Sequence, residues 1–340
     1  MIEVTQDEIM KNWCVDKPLV SICMITYGHE KYIIKALEGC LMQVCDFPFE
    51  IVIDDDCSLD STASIIQKYI DKYPKLISAN LRERNIGAVE NSIANIKRAR
   101  GKYVAMCEGD DYWIDSEKLQ KEIDLIEQED LAAVCTKVKY IDGDGTHLGY
   151  SESIPAHDLP LSYKYILQSN PVHTCSFLVK KSILEEIEDV MIKAPYGDYV
   201  MFLAASYFGR IGFINEVTAV YRKNVGIMHT WSNSDAQVMR IKILDLFYAD
   251  PRFKKMRRLI RVTKRYNLFK LTIYTVQEHK FIKAVKYYFQ TLYYTMFVLF
   301  SKKDEVHKRI SCKEYLKLTI SVVPYSELLY RKIKKIDKDI

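Results

Sequence analysis

Two clusters of carboxylates stand out for their spacing. Asp54, Asp55 and Asp56 are consecutive in Asp54-Asp55-Asp56-Cys57-Ser58-Leu59-Asp60-Ser61-Thr62, and Glu108-Gly109-Asp110-Asp111-Tyr112-Trp113 brings three more acids together. Adjacent carboxylates repel, so a chain that keeps them together needs a compensating charge or ligand. Hard oxygen donors beside a glycine that permits close approach suit Mg2+ or Mn2+, and a dication with open positions takes a diphosphate. A solvated acidic turn is the plainer reading of the second cluster. In the first, Ser61 or Asp60 could cap the next helix, which leaves Asp55 and Asp56 unexplained. A third position is Asp198 in Tyr196-Gly197-Asp198-Tyr199, where an acid opening a helix serves as a general base or only as a cap.

The elements that must hold these acids can be read from periodicity. Leu19 to Ile25, behind Pro18, is a buried strand; Tyr32, Ile33, Ala36, Leu37 and Leu41 recur at helical steps after it. Phe49 to Ile53 repeats the strand, and Thr62 to Tyr73 the helix, stopped by Pro74. A short strand near Leu76 to Asn80, a helix from about Ala88 to Ala99 and the strand KYVAMCE continue the alternation. Such alternation predicts an α/β fold with a doubly wound, mostly parallel sheet flanked by helices, and ligands at the carboxyl ends of its strands. Both acidic clusters then fall on one sheet edge. Ala132 to Ile141 followed by Asp142-Gly143-Asp144-Gly145 reads as a strand entering a hairpin. A calcium loop there is excluded, because its twelfth position is Ser153 where a bidentate Glu is required.

At 340 residues the chain has room for a domain of roughly 200–250 residues and an appendage. Its apolar fraction of 49% and charged fraction of 28% exclude a disordered or fibrous chain. Met1 to Lys17 is polar with acids and no apolar run, so a cytoplasmic location is expected. Nine cysteines without a Cys-x-x-Cys pair point to reduced, mostly buried thiols. After Trp231 the chain turns basic and tyrosine-rich, which sets a boundary near residue 235. The expected divisions are a polar lead-in over 1–17, a catalytic domain over 18–235 and a basic helical appendage over 236–340. Residues 251–340 hold 23 Lys+Arg against 7 Asp+Glu, whereas the preceding residues hold 26 against 38. An acidic body with a basic tail suits docking on an anionic surface, membrane or nucleic acid. Tyr287 to Ser301 is uncharged but shorter than the about 20 apolar residues of a membrane span, so it reads as a buried or an interfacial helix.

Several blocks together resemble glycosyltransferase family 2, the inverting enzymes of the GT-A fold that use nucleotide-sugar donors. They are PLVSICMITYGHEKYIIKALEGCLMQ, EIVIDDDCSLDST, the stretch from NIGAVENS to EIDLIE, HTCSFLVKKSIL, and YGDYVMFLAASYFGRIGFINEVTAVYR ending near HTWS, over about residues 18–232. The resemblance implies that Thr26 and Tyr27 line the nucleotide pocket. It implies that Asp55 accepts a hydrogen bond from the base, usually uracil, and that Asp56 supports the ribose side. Asp110 and Asp111 match the metal- and nucleotide-binding acids, with Glu108 where many members carry the first Asp, and Asp198 matches the catalytic base. Two departures stand against the pattern. Tyr221-Arg222-Lys223-Asn224 lacks the histidine of Tyr-Arg-x-His, which makes His229 a candidate replacement ligand, and Gly197-Asp198 replaces Glu-Asp.

The implied reaction moves a sugar from a nucleoside diphosphate donor, a UDP-sugar favoured, to a hydroxyl of a glycan or lipid-linked glycan in surface-polysaccharide assembly. It is implied to need Mn2+ or Mg2+. Peripheral association with the inner membrane face through residues 251–340, and homo-oligomers, are compatible with the same reading. Arg84 and Arg100 are considered as phosphate contacts, with a solvated helix face as the plainer role. A nucleotidyltransferase would carry a glycine-rich basic loop after its first strand, where this chain has Thr26-Tyr27-Gly28-His29. A nucleic-acid-binding role for the tail meets no recognisable module and an acidic front half, so no nucleic-acid partner is expected.

Overall fold

A computed structural model of the chain describes residues 3–226 and 230–300, the side chains of 296–300 excepted. The chain divides into two compact units, Met1–His229 and Thr230–Ile340, just ahead of the composition change at residue 235.

The first unit opens with α1 (Gln6–Met10), where the Thr5 hydroxyl accepts from the Glu8 N–H and Glu8 reaches back to the Thr5 N–H. Strand and helix then alternate: β1 (Val20–Thr26), α2 (Ile33–Leu41), β2 (Phe49–Asp55), α3 (Thr62–Lys72), β3 (Ile77–Leu81), α4 (Ala88–Arg98) and β4 (Tyr103–Met106). Apolar periodicity explains the packing: Ile33, Ala36, Leu37, Cys40 and Leu41 of α2 are all buried against the sheet. Each buried Leu or Ile contributes about 1.5–3 kcal/mol relative to exposure. β5 (Tyr112–Trp113), α5 (Lys118–Gln128), the hairpin of β6 (Ala133–Ile141) and β7 (His147–Tyr150), α6 (Tyr163–Gln168), β8 (Phe177–Lys180), α7 (Lys181–Glu186), α8 (Glu188–Met191), α9 (Asp198–Phe208) and β9 (Ile211–Arg222) complete the unit.

The sheet order is β3-β2-β1-β4-β8-β6-β9-β5, with β7 paired to β6. Pairing is parallel from β3 through β4, so the expected doubly wound sheet is present. In the second half β6 and β9 remain parallel, while β8 and β5 run antiparallel to their neighbours. Only the β6–β7 hairpin was anticipated among the antiparallel pairs. β8 is four residues long and follows a 3-10 turn, which leaves too little apolar repeat to reveal its direction. Thr26 is in register with Asp55, which levels the carboxyl ends of β1 and β2. The Gly109 N–H bonds the Ile25 carbonyl at 3.1 Å, so the chain beyond β4 stays alongside β1 and arrives at the same edge.

The second unit begins with α10 (Asn233–Ala249), capped by the Ser232 hydroxyl, followed by α11 (Arg257–Gln277) and α12 (Phe281–Phe300). Ile241, Leu268 and Leu271 form one buried cluster in it, with Val238, Tyr287 and Tyr294 packed against them. The described part of the Tyr287–Ser301 segment lies in α12, where Thr291 is buried while Phe289 and Tyr293 are exposed. Among the described residues no helix is long and apolar enough to cross a membrane.

Candidate active site

The three acids after β2 have separate tasks. Asp54 is fully buried and accepts from Arg82 Nη2 at 2.7 Å, Arg98 Nη1 at 2.5 Å, Asn95 Nδ2 at 2.9 Å and Asn80 Nδ2 at 3.1 Å. Asp55 turns the other way, and its two oxygens take the Ser58 hydroxyl at 2.5 Å and the Ser58 N–H at 3.0 Å. That turn requires Cys57 at φ 64°, a left-handed conformation uncommon outside glycine. Ser58 Oγ also accepts from the Gly28 N–H at 2.9 Å, which ties the loop after β1 to the loop after β2. Asp56 accepts from the N–H groups of Ile86 and Gly87 at 2.8 and 2.9 Å and so fixes the loop after β3. Thr26 is buried with its hydroxyl unpartnered, while Tyr27 is 45% exposed.

The acids after β4 are not compensated in this way. Glu108 is pushed well above the usual carboxylate range by burial and then by the charges of Asp111, Asp110 and Asp198. Asp111 is raised by burial and by Asp110, against the pull of an N–H from Arg222. The Arg222 N–H donates to Asp111 Oδ1 at 2.7 Å, Nε donates to the Asp110 carbonyl at 2.9 Å, and the guanidinium lies 4.3 Å from the Tyr32 ring centroid. The arginine therefore fastens the end of β9 to the acidic loop, through its own N–H to the Asp111 carboxylate and through its Nε to the Asp110 carbonyl. Gly109 is needed at the centre, because a Cβ there would meet Thr26 Oγ1 at 2.7 Å and His29 Nδ1 at 2.9 Å. His29 Nε2 lies 3.9 Å from Asp110 Oδ2, and its Nδ1 is buried without a partner.

Asp198 is the first residue of α9; Gly197 holds the cap position and makes no side-chain bond. Asp198 Oδ1 accepts from the Tyr199 N–H at 2.5 Å, yet burial pushes its pKa up to about 6. Its charge acts on both Glu108 and Tyr221, so the opening of α9 shares a field with the acidic loop. Thr26, Asp55, Asp56, Glu108, Asp110, Asp111 and Asp198 thus gather at the carboxyl edge of the sheet. His229 lies outside the described residues. Arg100 does not join them: it precedes β4, on the opposite edge, and pairs with Glu50 at 2.7 Å. Arg84 is exposed in the loop after β3.

The donor set fits a hard dication. Among the described residues no three His, Cys, Asp or Glu side chains converge as a ready cage. An ion held by one or two carboxylates and the substrate's own phosphates requires none. Glu108 and Asp111, raised by burial and then by neighbouring negative charge, are oxygen donors that a cation would relieve.

Two features escaped sequence reasoning. The Asp54 hub was signalled by Asn91, Asn95 and Arg98, which recur at i, i+4 and i+7 on the sheet-facing side of α4, where apolar residues are the rule. In the sequence Arg222 stands out only as part of a motif lacking its histidine. A third cluster, His173 between Tyr140 and Tyr221, has a bond of 3.0 Å to the Tyr140 hydroxyl, and burial lowers the imidazole to about 4.

The chain is similar to known proteins in sequence and in fold. The profile of "Glycosyl transferase family 2" matches residues 21–187. An uncharacterised glycosyltransferase of Methanocaldococcus jannaschii is 31% identical over 217 residues, covering 61% of this chain and 72% of that one. An uncharacterised Mycobacterium tuberculosis protein is 33% identical over 219 residues; the match covers 62% of this chain but 61% of that relative's length. TuaG of Bacillus subtilis, named as a teichuronic acid biosynthesis glycosyltransferase, is 29% identical over 63% of this chain and 81% of its own. Among solved structures, a Pyrobaculum calidifontis mannosyltransferase bound to GDP-Man and Mn2+ superposes with TM-score 0.54 at 14% identity, over 91% of this chain and 86% of that one. TarS of Staphylococcus aureus with UDP gives TM-score 0.50 at 18% identity over 77% and 72%. The sheet with its flanking helices is the GT-A fold, and the chain belongs to glycosyltransferase family 2.

Proposed function

We propose that this protein is an inverting, metal-dependent glycosyltransferase that moves a sugar from a nucleoside diphosphate donor, a UDP-sugar favoured, onto an acceptor hydroxyl in cell-surface polysaccharide synthesis. The observation that carries this reading is an ionisable Asp198 at about 6, sharing a field with uncompensated carboxylates on a GT-A sheet edge. UDP in TarS, GDP-Man with Mn2+ in the mannosyltransferase and the teichuronic acid role in the name of TuaG support the donor class, the metal and the setting.

In this reading Glu108, Asp110 and Asp111 hold Mn2+ or Mg2+, which supplies positive charge for a leaving diphosphate. Asp55 and Asp56 order the base and ribose side, together with Thr26 and Tyr27. Asp198, ionised above about pH 6, takes the acceptor hydroxyl's proton at a carboxylate oxygen. The hydroxyl oxygen then bonds the anomeric carbon from the face opposite the breaking bond, which inverts that centre. No covalent enzyme intermediate is required. The acceptor is a glycan or lipid-linked glycan, reached from the cytoplasmic side, with the basic second unit against an anionic membrane surface.

The test is a panel of nucleotide sugars assayed for transfer with Mn2+ or Mg2+, in the wild type and in Asp198→Asn. A neutral amide at the first helical turn keeps the fold but cannot take the proton, so turnover should fall by ~10²-fold or more with donor affinity retained. Transfer at near wild-type rate by the variant returns Asp198 to a structural role.

A further inference from the structure

His29 is held beside the acidic loop by contacts that leave its ring nitrogens unused. Its backbone N–H donates to the Thr62 hydroxyl at 2.9 Å, and its carbonyl accepts from the N–H groups of Tyr32 and Ile33, at 2.9 Å each, where α2 begins. The ring meets the Tyr32 ring edge-on, with centroids 6.4 Å apart, and the side chain is only 14% exposed. So placed, Nε2 stands 3.9 Å from Asp110 Oδ2, too far for a hydrogen bond. Neither group is engaged elsewhere: Nδ1 is buried without a partner, and among the described residues the Asp110 carboxylate accepts no hydrogen bond.

A second buried polar atom borders the same spot. Thr26 is 2% exposed, and its hydroxyl also lacks a partner. Thr26 Oγ1 and His29 Nδ1 lie 2.7 and 2.9 Å from the point where a Cβ on Gly109 would sit, so both orphaned atoms flank the glycine of the acidic loop. An imidazole that binds a cation through one nitrogen normally donates the hydrogen on its other nitrogen to a nearby oxygen. The Thr26 hydroxyl is the oxygen on the Nδ1 side, and Nε2 is the nitrogen that faces Asp110.

Two donors that share one small dication, each about 2.0–2.2 Å from it, stand roughly 3–4 Å apart. His29 Nε2 and Asp110 Oδ2, at 3.9 Å, have that spacing. We propose that His29 is a ligand of the metal through Nε2, beside Asp110, with the Thr26 hydroxyl fixing the ring on its Nδ1 side. This rests on the reading of the acidic loop as a metal site and adds one nitrogen to its oxygen donors. Carboxylates alone suit Mg2+, whereas an imidazole shifts preference toward transition ions, so the site should favour Mn2+.

Pulsed electron paramagnetic resonance of Mn2+ bound to the full-length chain with uridine diphosphate tests the assignment. The wild type should show nitrogen coupling from a bound imidazole and phosphorus coupling from the diphosphate. His29→Gln should keep the phosphorus coupling and lose the nitrogen coupling. Its Mn2+ affinity should fall by about tenfold or more, and its Mg2+ affinity by less. The wild-type spectrum decides even where the variant is unstable: phosphorus coupling without nitrogen coupling would overturn the role of His29 and leave the metal-bound diphosphate standing. Nitrogen coupling that survives in His29→Gln would overturn it in favour of another imidazole, such as that of His229. No bound Mn2+ in the wild type would overturn both this ligand and the metal site on which it rests.

Discussion

The two acidic loops are alike in sequence and opposite in electrostatic design. After β2, Asp54 is neutralised by Arg82 and Arg98, Asp55 by Ser58, and Asp56 by two backbone N–H groups. After β4, Glu108 is raised by burial and then by Asp111, Asp110 and Asp198, and Asp111 by burial and then by Asp110, against the Arg222 N–H, the Cys175 thiol and the Arg222 charge. One loop uses carboxylates to join three strand ends; the other concentrates charge the protein does not neutralise. Ionising crowded, partly buried carboxylates is costly, and a cation bound there, as proposed, would relieve that cost.

Neutralising each loop breaks the comparison if the two respond alike. The largest effect is expected from Asp54→Ala, which strips the carboxylate from two arginines that are 17% and 29% exposed and from two asparagines. It should cost ~3–5 kcal/mol of stability, read by urea denaturation. A loss below 1 kcal/mol would mean that the hub is incidental.

The next effect is on rate. As the proposed base Asp198 must be ionised to act, and burial raises its pKa to about 6 against a usual value of 3.8. Turnover should be flat above that pH and fall about tenfold per unit below it. The stability sign follows: with the folded pKa raised, ionisation is resisted in the fold, so Asp198 weakens stability as pH rises from its unfolded value through about 6. A rate profile falling instead near pH 4 would take Asp198 out of the burial that sets its role.

The smallest expected effect has the opposite sign to the first. Glu108→Gln removes charge from a crowded site, so the metal-free protein should gain ~1 kcal/mol at pH 7. The gain should disappear near pH 4, where Glu108 is already protonated, because its folded pKa lies above its unfolded one. Destabilisation at pH 7 would show that Glu108 has a partner in the fold and belongs with the first loop.

The sequence made the first half of the sheet legible because parallel strands buried on both faces carry short apolar runs, as in Ile22–Ile25 and Ile51–Ile53. It did not reveal β5 or β8, two and four residues long, which are fixed by tertiary pairing with Val220 and Ala219 and with β4. Carboxylates at strand ends could be found from position alone. Which of them were spent on the fold could not, because Arg82, Arg98 and Ile86 meet them only after β3 and α4 have packed. Arg222 is the same case at long range, closing on Asp111 across 111 residues of chain.

The most direct measurement is calorimetry of uridine and guanosine diphosphate binding, with and without Mn2+, to the wild type and to Asp111→Asn. Asparagine preserves the acceptor oxygen for the Arg222 N–H but is a poorer ligand for a hard cation. For the nucleotide that binds, Mn2+ should strengthen the wild type by at least about tenfold and leave the variant unchanged. Equal affinities with and without Mn2+ in the wild type, or the same enhancement in both proteins, would contradict the assignment of the second loop to a metal-bound diphosphate.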